Sequence, residues 1–214
     1  MIESNRERLE IFPITIFKSK IKDNTELKHL LSSKMILSSN YLKIPSSWAT
    51  NNIKTSFKGE AEGFEIFSED SPYLKMVRQR YTDCMQHIFD QDFSFTINKI
   101  WYNVYSDGEY QEEHDHIGGP FNPSHFSCIH FLSFDPEQHS PPEFKDPLAQ
   151  LRNLSVEFES NNCGELYVPK VKEGDLLMFP SYLTHRVLPC KKTDYPRITI
   201  SFNITVLSYG NEDD

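Results

Sequence analysis

The second half of the chain consists of short segments with strand character, and this pattern limits the fold more than any other feature. β-Branched and aromatic residues dominate each segment, and turn-forming residues separate them; the segments are 93–105, 109–115, 126–134, 164–169, 175–179, 184–188 and 197–207. Short strands at such spacing are typical of a β-sandwich or β-barrel. The proline-rich, acidic stretch 135–162 interrupts the series and is too long for a hairpin. We therefore predict a mainly β core with a functional or mobile loop insertion at 135–162.

The N-terminal part is expected to add one strand and two helices that buttress the core. Residues 10–18 alternate in places and contain Pro13, which indicates a strand broken at the proline. Residues 24–37 have apolar side chains at helical spacing, namely Leu27, Leu30, Leu31 and Met35. A second helix should begin at Pro72 and end near Asp90, with an apolar face formed by Leu74, Val77, Tyr81, Met85 and Ile88.

Length and charge favour one acidic domain. A chain of 214 residues fits a single domain, 1–214, with the strand and helices in 1–92 and the β core in 93–207. The net charge is −9 and the pI about 5.4. Nucleic acids and anionic membranes are bound through basic patches, so the charge argues against both as partners.

The remaining composition favours a cytoplasmic protein. The four cysteines are far apart and form no Cys-x-x-Cys pair, which argues against a cysteine zinc site and favours reduced thiols. The N-terminus has no apolar signal core, and no apolar run approaches the roughly 20 residues of a membrane span. The oligomeric state stays open, with a homodimer as one alternative.

Three histidines form the strongest candidate for a metal site. His114 and His116 are two residues apart along one strand, and side chains i and i+2 of a strand point the same way, so Asp115 should face the opposite side. His185 follows a second predicted strand and turn, which suits a third ligand from a neighbouring strand. A lone histidine is usually an ordinary surface or core residue. This set of three instead favours a metal bound by imidazole nitrogens at about 2.1 Å.

Other polar residues near this motif are not predicted to bind metal. Glu112 and Glu113 are adjacent, so their side chains diverge in a strand, and we expect both to be solvated. His125 and His130 are an odd number of residues apart, so at most one faces the interior of their strand. We expect structural or substrate-facing roles for both.

The segments around these histidines resemble the iron(II)/2-oxoglutarate-dependent oxygenases, in particular a small bacterial and phage family related to prolyl hydroxylases. The similarity covers roughly 96–207, with a weaker echo at 10–17. It is carried by the stretches 101–116, 127–132, 164–169, 174–189 and 197–203. The resemblance implies a double-stranded β-helix core, the jelly-roll fold that cupins share, closed around iron(II).

The resemblance also implies the metal ligands. It assigns His114 and His185 to iron, and the third position, usually Asp or Glu in the superfamily, is His116 here. A neutral imidazole therefore replaces an anion, as the closer family also tends to show. Three histidines still hold metals in other proteins, so we predict His114, His116 and His185 as the catalytic metal ligands.

A cosubstrate site is implied on the following strand. Arg197 would bind the distal carboxylate of 2-oxoglutarate, a role that suits a bidentate guanidinium. Alternation puts Thr199 on the same strand face, so its hydroxyl can join this contact. Tyr105 and Asn103 lie on the strand before the metal turn, where related enzymes place a hydrogen bond to the cosubstrate.

The expected activity is that of a dioxygenase that uses iron(II), 2-oxoglutarate and dioxygen, with ascorbate as a stimulant, to hydroxylate an unidentified substrate. Residues 117–125 and 135–162 are expected to recognise that substrate, since loops on a rigid scaffold carry specificity. A peptidyl residue, a free amino acid and a nucleobase all stay open.

Two alternatives compete with this interpretation. Gly108, His114 and His116 fit the first half of a cupin motif, but the following cupin glutamate is absent, Tyr182 stands where that motif has glycine, and Arg197 has no evident task. The other alternative is a catalytically inactive scaffold of the same fold.

Overall fold

A computed structural model describes residues 14–42, 45–46, 48–49, 53–57, 67, 71–89, 93–119, 122–149, 165–190 and 193–209. Within these ranges the protein is mainly β, with two helices, α1 (Asn24–Ser39) and α2 (Pro72–Gln86). The strands are β1 (Phe17–Lys20), β2 (Lys54–Thr55), β3 (Phe93–Tyr105), β4 (Gln111–His114), β5 (Gly118–Gly119), β6 (Asn122–Pro123), β7 (Phe126–Ser133), β8 (Pro142–Lys145), β9 (Leu166–Tyr167), β10 (Asp175–Pro180), β11 (His185–Val187) and β12 (Arg197–Tyr209).

Two antiparallel sheets form the core. The major sheet has the order β1-β10-β7-β12-β3-β2, and the minor sheet has the order β4-β11-β8-β9. β5 and β6 pair separately as a hairpin. Side chains from both sheets line one cavity, so the sheets face each other around it in the predicted jelly-roll arrangement.

The outer face of the major sheet is covered by the helices. On β12 the alternate residues Ile198, Ile200, Phe202 and Ile204 join one apolar cluster with Leu27, Leu31 and Met35 of α1 and Leu74, Val77, Tyr81 and Met85 of α2. Burial of each such side chain contributes about 1.5–3 kcal/mol. Because strand side chains alternate, the other face of β12 is left for the cavity.

Helix α2 begins where the sequence predicted and ends earlier. Pro72 is its first residue, and the Ser71 hydroxyl accepts a hydrogen bond from the Leu74 amide at 3.2 Å, which caps the first turn. The amides of His87 and Ile88 bond to carbonyls three residues back. This tightened turn closes the helix at Gln86, so the predicted end near Asp90 is wrong.

Two further differences concern the strands. Residues 142–145, which were expected to be loop, form β8, whose pairing with β11 and β9 makes it an inner strand of the minor sheet. Residues 150–162 of that insertion lie outside the described ranges. Of the predicted opening strand 10–18, residues 10–13 lie outside the described ranges and residues 14–16 are not in a strand. The first described strand is β1, which begins at Phe17 and pairs with β10. Neither described helix is long and apolar enough to cross a membrane.

Candidate metal and cosubstrate site

The three predicted histidines lie together at one end of the cavity. Their nearest ring nitrogens are all within 4.8 Å of one another. His114 ends β4 and His185 begins β11, and these two residues are directly paired across the minor sheet. His116 follows β4, and its amide donates to the Ser181 carbonyl at 2.9 Å, which fixes this segment against the turn after β10. The i, i+2 spacing therefore does bring both imidazoles to one side.

Each imidazole is oriented by an oxygen that faces its Nδ1 atom. The partners are the Glu112 carbonyl for His114 (2.8 Å), the Asn203 side-chain oxygen for His116 (3.0 Å) and the Leu183 carbonyl for His185 (3.1 Å). An oxygen acceptor fixes the proton on Nδ1 and leaves the lone pair on Nε2. All three rings thus carry on Nε2 the lone pair that binds a metal.

The surroundings keep these imidazoles neutral. Burial lowers the pKa of His116 to about 4, with the neighbouring His114 adding to the effect. Burial also lowers the pKa of His114, and it holds the pKa of His185 well below its usual range, assisted by the charges of the other two rings. Neutral imidazole is the form that binds metal. Asp115 is exposed, as predicted, and its carboxylate accepts from the Ile117 amide at 3.2 Å.

A β-bulge in β4 brings an unpredicted residue into the cavity. His185 pairs with His114, but Val187 pairs with Gln111, so β4 has one more residue than β11 across this step. The extra residue turns the strand. As a result Gln111 and His114 both line the cavity, although their odd spacing would put them on opposite faces of a regular strand.

The floor of the cavity is a ladder between β3 and β12. In register, Arg197, Thr199 and Ser201 lie opposite Tyr105, Asn103 and Trp101. All six residues line the same cavity as the histidines. The space between them is narrow, about 10 Å³, which is about the room of one water molecule. The predicted cosubstrate residues and the predicted metal ligands are therefore neighbours around one small void.

Arg197 is a buried cation without a counter-ion among the described residues. Its side chain is 1% exposed, and neither Nε nor Nη1 has an acceptor. The guanidinium carbon lies 4.5 Å from the centre of the Tyr105 ring. Burial lowers the pKa of Arg197, yet a guanidinium stays protonated. Because an uncompensated buried charge is costly, this arrangement fits an anionic ligand.

Two more buried polar atoms along this floor lack a partner in the described part of the chain. They are Nε1 of Trp101 and Oδ1 of Asn103. The Tyr105 hydroxyl, by contrast, donates to the Gln111 side-chain oxygen at 2.8 Å. Tyr105 therefore faces Arg197 with its ring, while its hydroxyl is engaged by β4.

Sequence reasoning missed several residues of this site. Trp101 lies against His116, with ring centres 5.4 Å apart, and Phe144 and Phe179 pack against His185. Asn203, which holds His116, lies on the same face of β12 as Arg197, so continued alternation could have identified it. Gln111 had no such signal because the bulge determines its direction.

The two other histidines near the motif lie away from the cluster. His130 is fully buried on the helix side of the major sheet, bonded to Asn24 and Tyr73, and is structural. His125 is exposed, and its Nδ1 accepts from the Val206 amide.

A larger cleft opens on the outer side of the same histidines. It has a volume of about 590 Å³ and shares Trp101, Gln111, His114 and His116 with the inner cavity. Its other walls include Trp48, Phe57, Glu112, Gly118, Gly119 and Ser124. The predicted recognition segment 117–125 thus contributes to it, whereas none of the described residues of 135–162 does.

Comparison with known proteins agrees with this architecture. Residues 99–203 match the model of a family described as "Putative 2OG-Fe(II) oxygenase". No curated protein matches the chain.

Solved structures share the fold at low sequence identity. A Pseudomonas putida prolyl-4-hydroxylase is 12% identical with a TM-score of 0.58, over 89% of this chain and 92% of its own. A viral collagen prolyl hydroxylase from Paramecium Bursaria Chlorella virus-1, in complex with 2-oxoglutarate, is 12% identical with a TM-score of 0.54, over 88% and 94%. HygX from Streptomyces hygroscopicus, with nickel, 2-oxoglutarate and hygromycin B bound, is 11% identical with a TM-score of 0.55, over 89% and 82%. The family match over residues 99–203 and this shared fold agree with the resemblance of the chain to the 2OG-Fe(II) oxygenases.

Proposed function

We propose that the protein is an iron(II)- and 2-oxoglutarate-dependent dioxygenase that hydroxylates a substrate bound in the outer cleft. The observation that carries this proposal is the meeting of two features around one cavity. Three neutral imidazoles converge at one end, and a buried guanidinium that has no counter-ion among the described residues lies on the floor. A metal and an anionic cosubstrate would satisfy both.

The proposed metal ligands are His114, His116 and His185. Their donor atoms fit a divalent transition metal, because imidazole nitrogen suits iron and the Nδ1 contacts hold each ring in place. The set contains no carboxylate, so the bound ion keeps its full double charge. An anionic cosubstrate beside it is then favoured by charge as well as by shape.

The proposed cosubstrate contacts lie on the ladder of β3 and β12. Arg197 would pair with the distal carboxylate of 2-oxoglutarate through its planar fork, with the Thr199 hydroxyl beside it. Asn103 would contribute a polar contact from β3. Tyr105 would support the guanidinium with its ring.

Iron(II) and 2-oxoglutarate together supply the activation of dioxygen that drives hydroxylation of a C–H bond. The chain supplies orientation and exclusion of water. Phe144 and Phe179 pack around His185 and keep that side of the site apolar. The outer cleft shares His114 and His116 with the inner cavity, so a substrate bound there would lie next to the proposed metal ligands.

A cupin-type metal protein or an inactive scaffold would leave Arg197 unexplained. In either case a buried, unpaired cation would be retained at a cost of several kcal/mol. The oxygenase proposal gives this charge a partner.

The test is 2-oxoglutarate binding and turnover. Purified protein with iron(II) under anaerobic conditions should bind 2-oxoglutarate in calorimetry and, on exposure to air, release succinate slowly without added substrate. Zinc, which has no redox chemistry, should support binding and suppress succinate release. Binding without turnover would favour an inactive scaffold, and absence of both would favour the cupin alternative.

A further inference from the structure

The outer cleft has an aromatic wall that leads to the histidine cluster. Trp48 and Phe57 have ring centres 5.1 Å apart, and Phe57 and Trp101 are also 5.1 Å apart. Trp101 in turn lies 5.4 Å from His116. The rings therefore form a continuous series that ends beside His116, and such a surface suits the aliphatic or planar body of a ligand.

A carboxylate with an unmet hydrogen-bonding capacity belongs to the lining of the same cleft. Glu112 lines the cleft, and its Oε1 atom accepts from the Ala49 amide at 3.2 Å. Its Oε2 atom is buried and has no donor among the described residues. The neighbouring acids differ, since Glu113 pairs with Lys145 at 3.2 Å and Asp115 is exposed and accepts from the Ile117 amide. The sequence predicts that Glu112 and Glu113 are both solvated. Glu113 is exposed, but the Oε2 atom of Glu112 is buried.

Two further polar groups in the cleft wall are buried and unpartnered in the described part of the chain. The Ser124 hydroxyl belongs to a residue that is 8% exposed, and the indole nitrogen of Trp101 belongs to one that is 3% exposed. Buried polar groups normally have partners, so unpaired ones in a cavity wall indicate where a ligand makes hydrogen bonds. Each group can donate a hydrogen bond to an oxygen or nitrogen of a ligand.

We infer that the cleft binds a substrate with a cationic nitrogen, an alkylammonium or a guanidinium, whose charged end contacts Glu112. A donor with a positive charge is the partner that a buried carboxylate oxygen favours most. The aromatic wall is compatible with a cation, because the Lys99 ammonium already lies 3.3 Å from the centre of the Phe57 ring. Among the charged residues of the cleft lining, Glu113 is paired with Lys145, and Glu112 and Asp115 still outnumber Lys99.

This inference rests on the proposed function for its chemistry, since the aliphatic part of such a substrate would lie along the wall toward His116. Binding itself needs neither iron nor 2-oxoglutarate. The inference can therefore be tested apart from turnover.

The test uses the intrinsic fluorescence of the protein. The chain has two tryptophans, Trp48 and Trp101, and both line the cleft. Metal-free protein is titrated with blocked Gly-Lys-Gly and Gly-Arg-Gly, with free lysine and arginine, and with blocked Gly-Pro-Gly and Gly-Glu-Gly. We expect at least one cationic probe to change the tryptophan fluorescence saturably. The neutral and acidic peptides should bind at least about tenfold more weakly, as expected for a charge contact of this kind. Tighter binding of the peptides than of the free amino acids identifies a peptidyl substrate, and the reverse identifies a free amine.

Substitutions then locate the charge contact. Glu112→Gln should weaken the cationic probe about tenfold or more. The matched control, Glu113→Gln, removes the same charge from the adjacent exposed position and should change binding less than about twofold.

Two results would overturn the inference. One is equal binding of Gly-Pro-Gly and Gly-Lys-Gly, and the other is an unchanged affinity in Glu112→Gln with a native circular dichroism spectrum. If the wild-type protein turns over 2-oxoglutarate but binds no cationic probe, this inference is wrong and the proposed function stands. If it binds the cationic probes but does not turn over 2-oxoglutarate, the proposed function is wrong and this inference stands.

Discussion

The Nε2 atom of Gln111 lies 3.3 Å from the Nε2 atom of His114. Because the Nδ1 atom of His114 donates to the Glu112 carbonyl, its Nε2 atom is the acceptor, and the Gln111 amide is the donor. The Gln111 oxygen in turn accepts from the Tyr105 hydroxyl. One side chain thus covers the atom through which His114 would bind a metal and links it to the ring beneath Arg197. Metal binding requires this amide to turn away.

Replacement of Gln111 should therefore tighten metal binding. Gln111→Leu removes a hydrogen bond worth about 1 kcal/mol net that the metal must otherwise displace, so the affinity for cobalt(II) should rise about fivefold. The same change leaves the buried Tyr105 hydroxyl without its acceptor, so the free energy of unfolding should fall by about 1–3 kcal/mol. Cobalt absorption titration and urea unfolding measure the two effects.

Tyr105→Phe is the control for this prediction. It removes the hydroxyl but keeps the Gln111 amide beside His114, so cobalt affinity should stay near that of the wild type. If Gln111→Leu also binds cobalt with wild-type affinity, the amide does not compete with the metal.

Loss of any one of the three histidines should strip the metal. His114→Ala, His116→Ala and His185→Ala should each lower metal affinity by more than the roughly 10–100-fold that follows loss of an outer hydrogen-bond partner. His116→Asp should retain metal, because a carboxylate oxygen can take the place of the imidazole. Metal content after dialysis is the measurement.

Asp115→Ala is the matched control for these variants. Asp115 is exposed and makes its hydrogen bond to the local backbone, so its removal should leave the metal content unchanged. Metal retained in His116→Ala but lost in Asp115→Ala would show that Asp115 is the ligand.

The sequence predicted those parts of the site that follow from strand alternation. The two-residue period of a strand is enough to predict that His114 and His116 lie on one side and that Arg197 and Thr199 share a face. Gln111 could not be predicted, because a bulge opposite Arg186 reverses the direction that the period gives it. Bulges depend on how two strands pair, and the sequence of one strand does not contain that information.

The insertion shows the same limit at the level of the fold. Prolines and acids in 135–162 indicated a loop, yet Pro142–Lys145 forms an inner strand of the minor sheet. Its Phe144 packs against His185, with ring centres 5.4 Å apart. A strand this short is stabilised by its neighbours β11 and β9, which local propensity does not register.

Removal of the buried cation should weaken 2-oxoglutarate binding and spare the metal. Arg197→Ala should weaken 2-oxoglutarate by about 2–5 kcal/mol, the usual cost when one partner of a buried charge pair is removed. Arg197→Lys should recover only part of this, because an ammonium lacks the planar fork. Calorimetry with the metal-loaded protein gives both affinities. Unchanged affinity in Arg197→Ala would separate Arg197 from the cosubstrate.

Stability should depend on pH through His130, on the helix side of the major sheet. Its Nε2–H group donates to the Asn24 side-chain oxygen at 2.8 Å, its Nδ1 atom faces the Tyr73 hydroxyl at 3.2 Å, and burial lowers its pKa to about 3. The pKa of an unfolded histidine is about 6.5, so the folded state resists a proton that the unfolded state accepts. The stabilisation is complete above about pH 6.5 and is lost as the pH falls toward 3, by up to about 1.4 kcal/mol per pH unit.

His130→Gln can keep both hydrogen bonds but cannot titrate. In urea unfolding of the metal-free protein, the wild type should therefore lose about 2 kcal/mol more than His130→Gln between pH 7 and pH 5. His29→Gln changes an exposed histidine on α1 and should follow the wild type. Equal losses in wild type and His130→Gln would mean that His130 takes up its proton without unfolding.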